Sequence, residues 1–188
     1  MVEIASAFFG LIQGILILLK RKENWIFYML NISTLIVYSF SVKLYGDVIE
    51  NLIYFVIGIL GILSWANTTF SKKFHVKIRY ASFRENVIFA CSIFIISFCI
   101  WFIVSTTDDV LPVLDAITTG MGFVATYMMA MKIIESWIVW FVDDILMAIT
   151  YLSLPNSGYF LAALNFIWIF MAVGSYISWR KEITNENV

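Results

Sequence analysis

Glu135-Ser136-Trp137-Ile138-Val139-Trp140-Phe141-Val142-Asp143-Asp144 opens a long apolar run and carries two acids into it. An earlier stretch, Glu23-Asn24-Trp25-Ile26-Phe27-Tyr28-Met29-Leu30-Asn31, opens another apolar run in the same way, 112 residues before. Glu23 pairs with Glu135, Trp25 with Trp137, Tyr28 with Trp140 and Asn31 with Asp143. Two residues are inserted in the later turn, so the offset then becomes 114. Tyr45 then matches Tyr159, Asn51 matches Asn165, Tyr54 matches Trp168, and Ser64-Trp65 matches Ser178-Trp179. A repeat of this length has to be recognised before the fold is read.

Working outward, the rest of the chain is of one kind. Of its 188 residues 62% are hydrophobic and 13% charged, against about 45–50% and about 25% in a soluble domain. Too little polar surface remains to face water, which excludes a soluble globular protein. A helix crosses a hydrocarbon core of roughly 30 Å with about 20 apolar residues. Seven runs qualify: 2–19, 24–42, 47–66, 86–104, 110–131, 136–154 and 157–179. Inside a bilayer every backbone N–H and C=O must be paired within the protein, so runs of this length predict helices. The polarity does not alternate as the strands of a membrane barrel would.

The cations test that count. Seven spans put Lys20, Arg21, Lys22, Lys72, Lys73, Lys77, Arg79, Arg84, Lys132, Arg180 and Lys181 on one side and Lys43 alone on the other. Lys and Arg collect on the cytoplasmic side. The expectation is an N-terminus outside and a cytoplasmic C-terminus, with the 67–85 loop inside. The first run ends in Lys20-Arg21-Lys22 rather than a small-residue cleavage site, so no cleavable signal is expected. His75 reads as a solvated loop residue. Asn67-Thr68-Thr69 spells a glycosylation sequon that has no meaning on the cytoplasmic side. Cys91 and Cys99, roughly 12 Å apart along a helix, are too distant for a disulfide and read as small buried apolar residues.

The repeat makes spans 1–3 and 5–7 two copies, and the fourth span restores the orientation of the second. The expected fold is an all-α integral membrane protein. Its seven transmembrane helices form two parallel three-helix repeats joined by a linker helix, in a 3+1+3 layout. Residues 1–66 form the first repeat, 67–109 the basic loop and linker helix, and 110–188 the second repeat and tail. Transporters use such repeats, with the substrate near mid-membrane between them.

Polar groups inside the spans carry the chemistry, because an ionised group at bilayer depth costs at least roughly 2.5–3.5 kcal/mol. Asp144 lies roughly 13 Å into the sixth span. Trp137, Trp140 and Asp144 are spaced i, i+3, i+7 and share one helix face with Tyr151, while Asp143 is expected to point away from it. Indole faces stack on an aromatic ring and attract a cation; a carboxylate balances the charge or accepts from hydroxyls. Gln13, Asn31, Asn51 and Asn165 are further candidates for substrate contact, each also suited simply to bridging helices. Gly10 and Gly14, Gly58 and Gly61, and Gly120 and Gly122 mark close helix approach.

The Glu135–Asp144 stretch, the Ser178-Trp179-Arg180-Lys181 ending, the Lys20-Arg21-Lys22-Glu23-Asn24-Trp25 turn and the Gly58…Gly61…Trp65 ending together resemble the PnuC family of bacterial vitamin transporters. The resemblance runs over nearly the whole chain. That family shares the 3+1+3 layout with the SWEET sugar transporters and carries a Trp-x-x-Trp-x-x-x-Asn signature, matched here by Trp137 and Trp140. Asp144 departs from its last position, which puts the substrate in question. The resemblance implies import of nicotinamide riboside or a similar flat, ribose-bearing or cationic vitamin by facilitated diffusion across the bacterial inner membrane. A cytosolic kinase would then trap the substrate. Thiamine or a deoxynucleoside is the alternative within the family, and proton-coupled import is a separate mechanism. It also implies that homotrimers can form. No cofactor, metal site, nucleic-acid partner or enzyme activity is expected: neither a phosphate-binding loop nor zinc spacing occurs.

Overall fold

The computed structural model describes residues 2–65, 77–154 and 158–186; His75, Lys72, Lys73 and the Asn67 sequon lie outside them. The described chain is all helical: α1 (Val2–Leu18), α2 (Asn24–Ser41), α3 (Tyr45–Trp65), α4 (Phe83–Val104), α5 (Pro112–Ala130), α6 (Ser136–Ser153) and α7 (Tyr159–Glu186). Each falls on one expected span. Helices α3 to α7 are long and apolar enough to cross a bilayer, and α1 is apolar but shorter at 17 residues.

The turns explain why the helices stop where they do. Lys20 and Lys132 follow α1 and α5 in the left-handed conformation, at φ 56° and 57°. The next N–H closes a six-residue ring in each case: Arg21 donates to the Leu16 carbonyl and Ile133 to that of Met128, both at 2.8 Å. This is the helix-ending motif in which glycine is usual. The following helices are entered from Glu23 and Glu135, each with φ −62°. Lys43 ends α2 in the same way, at φ 59°. Helix α4 begins with a capping box, in which the Ser82 hydroxyl accepts from the Glu85 N–H and the Glu85 carboxylate accepts from the Ser82 N–H. At α5, Pro112 occupies the first turn, where no N–H is needed.

Six helices form a closed ring. α1 packs on α2, α2 on α3, α3 on α5, α5 on α6, α6 on α7, and α7 back on α1. Helix α4 stands outside, along α5 and touching α3. Its most apolar window is 11% buried, against 72% for α5, which is enclosed between α3, α4 and α6. Cys91 and Cys99 are consequently exposed on α4, contrary to the expectation of burial. Hydropathy alone does not distinguish a lipid-facing position from a protein-facing one.

Contacts at the two ends of the ring agree with the alternation of spans. At one end Lys20 pairs with Glu182, the Arg79 N–H donates to the Lys132 carbonyl at 3.1 Å, and the Ile134 N–H donates to the Arg79 carbonyl at 3.0 Å. At the other end Lys43 pairs with Asp108. Glu3 accepts from the Phe160 N–H at 2.8 Å. The Asp115 carboxyl group accepts from the N–H groups of Gly46 at 2.6 Å and Asp47 at 3.0 Å. Helix α7 runs beyond Trp179, where the apolar run ends. Its polar last turns are held by the Lys20–Glu182 pair and by Ile183 packing on the core.

Candidate functional site

The ring encloses one principal cavity, with about 960 Å³ of empty space including its mouth. All eight expected contact residues line it: Gln13 from α1, Asn31 from α2, Asn51 from α3, Trp137, Trp140, Asp144 and Tyr151 from α6, and Asn165 from α7.

Helix α6 supplies the largest share. Its turn from α5 sets Trp137 at the second helical residue, edge-on to Trp179 with ring centroids 5.3 Å apart. Trp140 lies one turn further in, half-buried, and Asp144 one turn beyond that. Asp144 makes no hydrogen bond to another described residue. Asp143 does not point away from the cavity: it lines the cavity too, and its Oδ1 is buried without a partner among the described residues. The angle between neighbouring residues was read correctly, but the cavity is wide enough to meet both.

From the wall contributed by α3 the sequence reading took Asn51 alone and missed Asp47, Glu50 and Tyr54. Asp47, Glu50, Asn51 and Tyr54 are spaced i, i+3, i+4, i+7 and so share one helix face; all four line the cavity. That spacing was the available signal. Asp47 and Glu50 lie near the start of their span and read as interfacial. The facing positions of α7 follow the same register, with Leu161, Leu164, Asn165 and Trp168 on the cavity. Asn51 and Asn165 each donate Nδ2 to the carbonyl four residues back, at 2.7 Å to Asp47 and 2.9 Å to Leu161.

The polar groups are partly tied to each other. Asn31 donates to Gln13 at 3.4 Å and accepts from Ser6 at 2.7 Å. Tyr151 on α6 donates to Asp47 Oδ2 on α3 at 3.2 Å, and Ser39 on α2 donates to the same oxygen at 3.3 Å. Helices α3 and α6 are not neighbours in the ring, so the Tyr151 bond crosses it and narrows the end that carries Lys43. At the basic end a row of indoles lies beneath the cavity. Trp25 meets Trp65 at 6.1 Å, Trp65 meets Trp179 at 6.1 Å, and Trp179 meets Trp137. The Lys132 ammonium lies 5.4 Å from the centre of the Trp65 ring. Burial pulls Lys132 below the ordinary lysine range, against the opposing charge of Glu182.

Four carboxyl groups, Asp47, Glu50, Asp143 and Asp144, thus border a cavity with no Lys, Arg or His among its lining residues. Buried charge must be compensated. The arrangement suits a cation or a molecule rich in hydrogen-bond donors, and opposes an anion. No group of residues among those described could hold a metal ion.

The family described as nicotinamide mononucleotide transporter matches residues 1–181. The chain belongs to this family. Its curated relative in Neisseria mucosa, a nicotinamide riboside transporter named PnuC, is 24% identical over 177 residues, covering 89% of this chain and 67% of that protein. The fold matches a solved structure described as the crystal structure of the vitamin B3 transporter PnuC. The TM-score is 0.82 at 18% identity, over 98% of this chain and 82% of the other. The family's members are transporters and not enzymes, and this chain is a multi-pass membrane transporter of the same family.

Proposed function

We propose that the chain imports a flat, ribose-bearing or cationic vitamin, with nicotinamide riboside the leading candidate and thiamine or a deoxynucleoside the alternative within the family. The observation that carries this reading is the pairing of Trp140 with Asp144 on a cavity whose other ionisable side chains, Asp47, Glu50 and Asp143, are all acids. Trp140, with Trp137 beside it, holds the ring of the substrate, and Asp144 balances its charge or accepts from its hydroxyls. A phosphate would face four acids and no base. The dephosphorylated nucleoside therefore fits better than the mononucleotide in the family's description.

The transport path follows from the ring. Seven helices cross the bacterial inner membrane with the N-terminus outside, and two three-helix repeats surround the cavity. The recurrence of the same turn at Lys20 and Lys132, and of the same side-chain bond at Asn51 and Asn165, supports the 3+1+3 reading. Movement is facilitated diffusion, with a cytosolic kinase trapping the product. Uptake into proteoliposomes of nicotinamide riboside, thiamine, riboflavin and a deoxynucleoside, with and without an enclosed kinase, tests this. Saturable uptake of one flat cation, accumulating only with the kinase, is the expected result. Uptake of none of them would overturn the reading.

Four acids on one path also favour a second reading, proton-coupled import. Under that reading an imposed pH gradient drives accumulation without a kinase, and Asp144→Asn abolishes it. Under facilitated diffusion Asp144→Asn changes substrate preference and leaves transport alive.

A further inference from the structure

We infer that Glu50 is a specificity-determining residue that reads the end of the substrate facing away from Trp140, and that this end carries a pair of hydrogen-bond donors. The inference rests on the transport reading above and deepens it. Helices α3 and α6 are not packed neighbours in the ring; the Tyr151–Asp47 bond links them at one end, and the cavity lies between them. A molecule stacked on Trp140 with its charge toward Asp144 therefore presents its far end to α3.

What waits there is acceptor-rich. Glu50 is 5% exposed and lines the cavity. Its Oε1 accepts from the Tyr54 hydroxyl. No other described residue donates to its carboxyl group, so Oε2 is unclaimed. The neighbouring Asn51 spends its Nδ2 on the Asp47 carbonyl, and its Oδ1 is buried with no partner among the described residues. Glu50 and Asn51 thus bring two acceptors to the cavity lining that no described residue donates to. A buried acceptor left unmet carries a desolvation cost, so this pair is completed by a ligand that brings the donors.

Gly122 on α5 holds the arrangement in place. A methyl group there would overlap the Glu50 carboxyl and the Tyr54 hydroxyl. Backed by α5 and anchored through Oε1, the carboxyl has one direction left open, into the cavity. The ligand class is a flat organic cation bearing an –NH₂ group or a vicinal diol at its far end.

Matched probes test this by calorimetry on the full-length protein in detergent. Thiamine is paired with oxythiamine, which replaces the amino donor by an oxo acceptor. Nicotinamide riboside is paired with 3-acetylpyridine riboside, which puts a methyl group in place of the amide N–H₂ and adds no charge. The wild type should prefer the donor-bearing member of the pair it binds by about tenfold or more. In Glu50→Gln that preference should fall below about threefold, with affinity for the donor-less analogue within about twofold of wild type. A preference that survives Glu50→Gln, or its absence in the wild type, overturns the role of Glu50 and leaves the transport reading standing. Failure of the wild type to bind any of the four sinks the transport reading and this inference with it. Should Glu50→Gln not fold, Asn51→Ala decides, because it removes the second acceptor and leaves the Glu50 carboxyl group in place: an unchanged preference there overturns the inference.

Discussion

The Glu3 carboxylate on α1 accepts the backbone N–H of Phe160 at the start of α7, and the Asp115 carboxyl group on α5 does the same for Gly46 at the start of α3. These acids are 112 residues apart and the amides 114 apart, matching the two offsets of the repeat. Each half of the molecule thus caps the third helix of the other. The first N–H groups of a helix have no partner within it. In each case the cap comes from the helix packed alongside, α1 for α7 and α5 for α3.

The two caps differ in burial, and that difference is measurable. Asp115 is fully buried and meets two N–H groups, whereas Glu3 meets one and is half-buried. Asp115→Ala should cost about 2–3 kcal/mol, a drop of roughly 5–10 °C in melting temperature in detergent. Glu3→Ala should cost about 1 kcal/mol or less. Equal losses from the two variants would refute this account of the two caps.

Trp25 and Trp140 separate stability from binding. Trp25 is completely buried in the notch at Gly61 and does not line the cavity. Trp25→Ala should lose about 3–5 kcal/mol of stability, with ligand affinity kept by the protein that remains folded. Trp140→Ala should melt near the wild type and bind its cation about 30-fold more weakly. Calorimetry beside thermal melting distinguishes them, and unchanged affinity in Trp140→Ala would remove that indole from the site.

Gly120 and Gly122 offer a comparison within one helix. A methyl at Gly122 runs into Glu50 and Tyr54, whereas one at Gly120 runs into Ser97 and the Ile93 carbonyl on α4. Both alanine variants should lose about 1–3 kcal/mol through overpacking. Only Gly122→Ala should also weaken ligand binding, because α4 contributes nothing to the cavity wall. Weakened binding in Gly120→Ala alone would contradict this placement.

At the end of the ring that carries Lys43, its ammonium donates to Asp108 and holds that carboxylate below its usual range. A carboxylate whose pKa is lower when folded stabilises the fold above its unfolded pKa of about 3.9 and loses that contribution as the pH falls through the lower folded value. Melting of Asp108→Asn should therefore sit slightly below wild type from pH 7 to about pH 4 and merge with it at still lower pH. Both groups are exposed, so 0.5 M salt should erase the gap. A gap that widens in acid would reverse the assigned sign.

Helix number and type were legible in the sequence because length and hydropathy suffice for both. Closure of the ring was not, since it depends on which apolar faces meet, and α4 shows how little hydropathy says about that. The α6 stripe was legible because Trp137, Trp140 and Asp144 stand out against an aliphatic background. Asp47 and Glu50 did not, because an acid near a helix start usually serves water or the helix dipole. The excess length of α7 was hidden as well. Its last turns are polar, and their order depends on Lys20, some 160 residues away in sequence.

The indole row from Trp25 through Trp65 and Trp179 to Trp137 joins the two halves at Trp65 and Trp179. Rings this close, edge-to-face at two contacts and tilted at Trp65–Trp179, couple their electronic transitions, which gives near-ultraviolet dichroism a signal native to the molecule. A substrate resting in the cavity leaves the Trp65–Trp179 contact whole. Near-ultraviolet dichroism recorded as substrate is added and washed out therefore reads, in unlabelled protein, whether the basic end of the ring rearranges.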